Sequence, residues 1–330
     1  MKTWISRIGI DNYMLMLLGT VMLGLILPAD GVAADILRGV TYWAVAALFF
    51  LYGAKLDSAS VRAGLTNWKL QGLTFGATYV MFPLLGLVFA WVFGGILGPQ
   101  MTLGLLFLAV LPSTVQSSIA FTSMAEGNVP AAICAASFSN LIGVALTPAL
   151  VALMLHQGGG GVSLDAVLRI GMQILLPFVV GQLLRPLIGD FVRRHRIMTL
   201  TVDRGSILLI VYSAFSAGTV SGLWKGIPAI SLVVLILVLL LFLGVVFALM
   251  IAAGKVFNLN EPDRVVLFFC GSTKSLASGL PIATALFPVS TLGATVLPVL
   301  IYHMSQLLIC AMIAQRCARR HALNKAALAS

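Results

Sequence analysis

Two clusters of hydroxyl, amide and amine side chains interrupt long apolar runs. Their residue types suit holding ions and polar molecules rather than breaking bonds. The first is Pro112-Ser113-Thr114-Val115-Gln116-Ser117-Ser118, and the second is Gly271-Ser272-Thr273-Lys274-Ser275. Pro112 removes a backbone donor and clashes with the preceding turn. Gly271 stands at the matching place in the second cluster, and Pro281 follows one half-helix later. If both helices unwind here, half-helix ends and freed carbonyl oxygens meet. The positive N-terminal ends attract an anion, and the carbonyls coordinate a cation. A helix merely kinked at Pro112, with Ser and Thr bonded to their own turns, would not need a polar cluster in both halves.

Lys274 is the sharpest single residue. It is the tenth residue of the apolar run Val265–Phe287, too deep to reach an interface easily. A charge at that depth costs at least about 2.5–3.5 kcal/mol on insertion scales, so it must face a partner or a cavity. Two roles fit: pairing with an anionic substrate, or putting an ammonium where a related protein holds a sodium ion. An amine can also release its proton, which leaves a proton-linked cycle open. No carboxylate is expected at that depth, since Asp203, Glu261, Asp263 and the other acids fall at span ends or in loops. That counts against a carboxylate-based cation/proton antiporter. Ser137, Ser139 and Asn140 either complete an oxygen cage beside the first cluster or bond neighbouring helices. His303 is an accessory position, read first as a packed, hydrogen-bonded side chain.

The elements that must position these residues are membrane helices. Of 330 residues, 60% are hydrophobic and only 9% charged, against about 25% charged in a soluble domain. Apolar runs of roughly 20 residues fall at 11–28, 36–54, 70–94, 101–125, 129–155, 165–187, 203–222, 228–254, 264–287 and 290–316. Lys2, Arg7, the apolar run Tyr13–Leu27 and the small residues Val32-Ala33-Ala34 imitate a signal peptide. With nine more spans behind it, the run is read as the first span. With the N-terminus inside, sixteen of the 20 Lys and Arg residues fall in inner loops and tails, three in outer loops, and Lys274 alone within the membrane. The positive-inside rule then puts both termini in the cytoplasm of a bacterial inner-membrane protein.

The net charge of +10 sits in short loops, not along one surface stripe, so nucleic acid is not an expected partner. The expected partners are the lipid bilayer and a small organic anion, and the sequence gives no oligomeric state. Cys134, Cys270, Cys310 and Cys317 show neither a disulfide framework nor zinc-ligand spacing; no organic cofactor or zinc is expected, and sodium or a proton is left open as a coupling ion. No His–acid pairing lies near the serine clusters, as a hydrolase would require. No GxxxxGK[ST] loop is present, so ATP-driven pumping is not expected either.

The chain repeats weakly at 158 to 159 residues. Met14, Leu17, Leu18, Val21 and Pro28 map onto Met172, Leu175, Leu176, Val179 and Pro186, and Ser113-Thr114 onto Ser272-Thr273. Five spans per repeat invert the second relative to the first, as in many transporters. The expected organisation is a first repeat over 1–156, a glycine-rich linker over 157–164, a second repeat over 165–317 and a tail over 318–330.

The run Leu111 to Ser118, then Gly127-Asn128-Val129, Ser137-Phe138-Ser139-Asn140 and Thr147-Pro148, resembles the bile acid:sodium symporter family. Gly271 to Leu276 and Gly279-Leu280-Pro281 are similar to its divergent bacterial branch. The resemblance covers essentially the whole chain. It implies an all-α polytopic protein of ten helices in two inverted five-helix repeats. Helices 4 and 9 would be broken and cross at the midplane. A panel would hold spans 1, 2, 6 and 7, and a core spans 3–5 and 8–10. The family moves organic anions, often amphipathic and sterol-like, with sodium. Three departures stand out. Sodium-coupled members carry Ser-Asn in the fourth span, where this chain has Ser117-Ser118. They carry Gln before the third-span proline, where this chain has Phe82-Pro83. They carry a ninth-span glutamate shared by both sodium sites, where it has Ser272-Thr273-Lys274. Without that acid two sodium ions would be poorly neutralised, so sodium coupling is not carried over.

The expected function is secondary transport of a small organic anion, bile-acid-like or another carboxylate or sulfate, by alternating access. A cation/proton antiporter of similar architecture and a non-transport membrane sensor are the alternatives. The expected binding residues are Ser113, Thr114, Gln116, Ser117, Ser118, Ser137, Asn140, Ser272, Thr273, Lys274 and Ser275.

Overall fold

The computed structural model describes residues 12–55, 67–155, 171–227 and 229–329. The glycine-rich linker expected over 157–164 lies outside these residues. Among them every regular element is helical, and eight helices are long and apolar enough to cross a membrane. In chain order the elements are α1 (Asn12–Ile26), α2 (Gly31–Lys55), α3 (Trp68–Gly76), a π-helical turn (Ala77–Met81), α4 (Phe82–Val110), α5 (Gln116–Met124) and α6 (Val129–Leu155). After a second π turn (Gly171–Leu175) come α7 (Leu176–Arg194), α8 (Arg196–Val220), a 3-10 turn (Leu223–Gly226), α9 (Ala229–Val256), α10 (Glu261–Ser272), α11 (Leu276–Leu286) and α12 (Val289–Ala329).

Helix ends follow local chemistry. Gly98 interrupts α4 at φ 77°, a left-handed conformation that glycine adopts without strain, and Pro99 restarts the helix with its fixed φ. Asn67, Asn128 and Asn260 accept from the Leu70, Ala131 and Asp263 amides and so open α3, α6 and α10. The Asn67 and Asn128 amide groups also donate to the two oxygens of Asp263, each at 2.9 Å. One buried carboxylate thus pins three helix starts.

The sides of the bundle are apolar. Trp43, Trp68, Trp91, Leu183 and Leu187 are all more than 70% exposed, an arrangement that water penalises and hydrocarbon accepts. The protein is a multi-pass membrane protein. Inside, α2 and α7 pack backbone to backbone. A Cβ on Gly53 would overlap the Phe178 carbonyl oxygen, and one on Gly181 the Phe50 carbonyl oxygen. Such close approach at small residues is how membrane helices gain contact without a hydrophobic driving force.

Candidate functional site

The two polar clusters are two helix breaks, and the breaks touch. Helix α4 stops at Val110, the chain runs extended from Leu111, and α5 resumes at Gln116. Helix α10 stops at Ser272. Thr273 and Ser275 are extended, and the Ser275 hydroxyl accepts from the Ser278 amide to open α11. The Ser275 amide donates to the Pro112 carbonyl at 2.8 Å, and the Thr114 hydroxyl donates to the Lys274 carbonyl at 2.9 Å.

A helix end leaves its last carbonyls without intrahelical partners, and buried carbonyls must find others. Here side chains from distant segments supply them. Thr147 donates to the Val110 carbonyl at 2.9 Å and Asn140 to that of Ser113 at 2.6 Å. In the second break, Ser113 donates to the Cys270 carbonyl at 2.6 Å and Tyr302 to that of Ser272 at 2.8 Å.

Lys274 takes the rest. Its Nζ lies 2.9 Å from the Thr78 carbonyl in the first π turn, 2.9 Å from that of Ala109 and 2.6 Å from that of Leu111. It also sits 4.0 Å from the centroid of the Phe82 ring. The residue is 1% exposed. Three acceptors match the three donors of an ammonium, whereas a neutral amine has only two. Gln306 clamps the same residue from α12: its Oε1 accepts from the Lys274 amide and its Nε2 donates to the Lys274 carbonyl, both at 2.8 Å. His303 Nδ1 lies 3.3 Å from that carbonyl and 3.0 Å from Gln306 Nε2.

A cavity of about 640 Å³ lies against the breaks. It divides the sequence-expected residues into two groups. Thr114, Gln116, Ser117, Ser137, Asn140, Ser275 and His303 line it. The Asn140 Oδ1 accepts from the Ser278 hydroxyl at 2.6 Å, and Ser117 Oγ is buried without a hydrogen-bond partner. Ser113, Ser118, Ser272, Thr273 and Lys274 stand behind the wall instead. There the Thr273 hydroxyl lies 2.7 Å from Ser118 Oγ and 3.2 Å from Ser113 Oγ.

The sequence reading missed several cavity residues. Asp203, read as a span-end charge, lies in the third turn of α8, 8% exposed, and lines the cavity. It accepts from the Tyr52 hydroxyl at 2.9 Å. Tyr13, Lys55 and Arg204 line the same region. The signal available was the spacing of Thr199, Asp203 and Ser206, a polar stripe at i, i+4 and i+7 of one helix, all three buried.

With this geometry in hand, the pattern that defines the SBF-like CPA transporter family matches residues 11–319 of the chain. The chain belongs to that family. An uncharacterized protein of Pseudomonas aeruginosa is 47% identical over 320 residues, covering 97% of this chain and 96% of the relative. YfeH of Escherichia coli is 43% identical over 311 residues, covering 94% of each. The sodium/bile acid cotransporter 7 of Xenopus tropicalis is 28% identical over 279 residues, covering 82% of this chain and 80% of the relative. The SBF-like CPA transporter family is one of transporters, which agrees with an all-helical membrane chain. The three departures from the sodium-coupled pattern turn out to be spatial neighbours in this member of the SBF-like CPA transporter family. Phe82 faces the Lys274 ammonium, and Ser118 meets Thr273, the residue before Lys274.

Proposed function

We propose that the protein is a secondary active transporter of a small organic anion that works by alternating access without sodium. One observation carries this reading: the Lys274 ammonium occupies the space among three carbonyl oxygens where both helices are unwound. Carbonyl oxygens converging on a buried point make a cation site, and the chain fills it with its own positive charge. A sodium ion does not fit there, because the three acceptors are already used and the adjoining Phe82 ring offers no oxygen. The built-in cation holds the two breaks together whether or not ions are bound.

The same reading takes the chain as ten spans in two inverted repeats. The break contacts join residues 157 to 160 positions apart, near the repeat length. Spans 4 and 9 would be α4's second half with α5, and α10 with α11. In this scheme α1, α2, α7 and α8 form the panel and the remaining helices the core, across which the core rocks. The cavity lining takes in Lys55, the last residue of α2, and Arg204, in the N-terminal half of α8; with the termini placed in the cytoplasm of a bacterial inner-membrane protein, this reading takes the cavity as open toward the inside. The name of the Xenopus relative, a sodium/bile acid cotransporter, makes bile-acid-like carboxylates and sulfates the first substrates to try.

Cation/proton antiport is the second reading, and the buried Asp203 carboxylate in the cavity wall is what favours it. A thermal-shift screen of the purified protein decides between them. Stabilisation by organic anions, equal in sodium and potassium, is expected. Stabilisation by inorganic cations alone, with none by any anion, refutes the proposal.

A further inference from the structure

The position of Lys274 raises the question of where an anion is held, since all three of its donors are used and it stands behind the cavity wall. Resting on the anion-transport reading above, we propose that Lys55 and Arg204 hold the anionic group of the transported molecule at the cavity's open end.

Three helices approach that end, and each shows the same gradient. On α2, Lys55, Tyr52 and Phe49 step inward at i, i−3 and i−6, a rise of about 9 Å, and all three line the cavity. On α8, Arg204 gives way to Ile207, and on α1, Tyr13 gives way to Leu17. The cavity therefore has a basic mouth, an apolar waist and, at the helix breaks, a floor of hydroxyl and amide groups. An amphipathic anion matches that order: charged group at the mouth, apolar body at the waist, polar substituents on the floor.

Asp203 offsets part of the mouth's positive charge and leaves an excess. The guanidinium of Arg204 lies 5.0 Å from the centroid of the Tyr13 ring, a contact that orients the group and leaves its edge donors available. Among the described residues, Asp203 is the acid among the charged side chains lining this end. Tyr52 donates to one of its oxygens at 2.9 Å, and the carboxylate charge also acts on Lys55 and Arg204. Among the described residues lining this end, two cations against one carboxylate leave a single positive excess, suited to a monoanion. Lys55 and Arg204 are both exposed, so an incoming anion meets them without first displacing buried partners. A cavity rim with a net positive charge also concentrates anionic ligands.

The test uses the full chain in nanodiscs, titrated with cholate, octanoate and octyl sulfate, each against its uncharged amide or alcohol. The wild type is expected to bind at least one anion more tightly than its neutral counterpart. The double variant Lys55→Gln/Arg204→Gln should lose that preference by on the order of tenfold, with binding of the neutral compound unchanged. The pair Lys55→Arg/Arg204→Lys should keep it. Asp203→Asn, which retains an acceptor for Tyr52, should strengthen anion binding several-fold, an effect that a purely structural carboxylate would not produce. A wild-type preference that survives unchanged in the double variant overturns this inference and leaves the transport reading standing. A wild type that prefers none of the anions overturns both.

Discussion

Lys274→Ala is the perturbation that probes the crossing most sharply. It leaves the carbonyls of Thr78, Ala109 and Leu111 facing a dry void, and it removes the contact with Phe82. Each buried acceptor left without a partner costs about 1–3 kcal/mol. The lost burden of burying an ammonium offsets part of this, so the net destabilisation is about 3 kcal/mol, the lower end for breaking a buried charge network. For a chain of this size that corresponds to about 4 °C in thermal midpoint. The void is also the shape of the missing ammonium. Methylammonium or sodium at about 100 times its dissociation constant would restore about 2.7 kcal/mol, nearly the whole loss, while choline is too large to enter. Lys274→Met should lose the same stability without rescue, because its side chain fills the void and offers no donors. Nanodisc-reconstituted protein, heated in chloride salts of sodium, methylammonium and choline, supplies the assay. A Lys274→Ala midpoint equal to wild type, or one indifferent to all three salts, refutes the reasoning.

Further outcomes follow from the same contacts. Gln306→Leu removes both hydrogen bonds to the Lys274 backbone and should lower the midpoint by several degrees, whereas Gln306→Glu, which keeps the acceptor at the amide, should lower it less; differential scanning fluorimetry reads both. Gly181→Leu forces a side chain into the Phe50 carbonyl oxygen on α2, and the variant should run as aggregate on size exclusion, while Gly205→Ala, where a Cβ meets nothing within 4 Å, should run as wild type. Asn140→Ala strips the Ser113 carbonyl and the Ser278 hydroxyl of a partner at the cavity wall and should cut anion affinity about fivefold or more by titration, with a smaller change in thermal midpoint.

Much of the fold was legible because hydrocarbon imposes a simple rule: apolar length makes a helix, and a polar break inside it needs a reason. Pro112 and Lys274 announced the two breaks, and the structure breaks the helices beside both. The partners of Lys274 were not legible. They are main-chain carbonyls 163 to 196 positions away, and a carbonyl carries no residue type to read. The division of the serines and threonines into cavity wall and supporting brace was hidden for the same reason, since both groups look alike in sequence. Asp203 escaped because α8 begins at Arg196, seven residues before the apolar run at 203–222. That extension, Arg196 to Val202, mixes one arginine and two threonines with apolar residues and continues the helix before the apolar run. Similarly α12 runs on to Ala329, beyond the apolar run ending at 316.

The central claim is that the chain carries its own cation at the crossing and needs none from solution. Uptake of a radiolabelled bile acid or other anion identified by the binding screen, into proteoliposomes with potassium on both sides and then with an inward sodium gradient, measures this directly. Equal initial rates in the two conditions are predicted. Accumulation that occurs only with the sodium gradient would contradict the account.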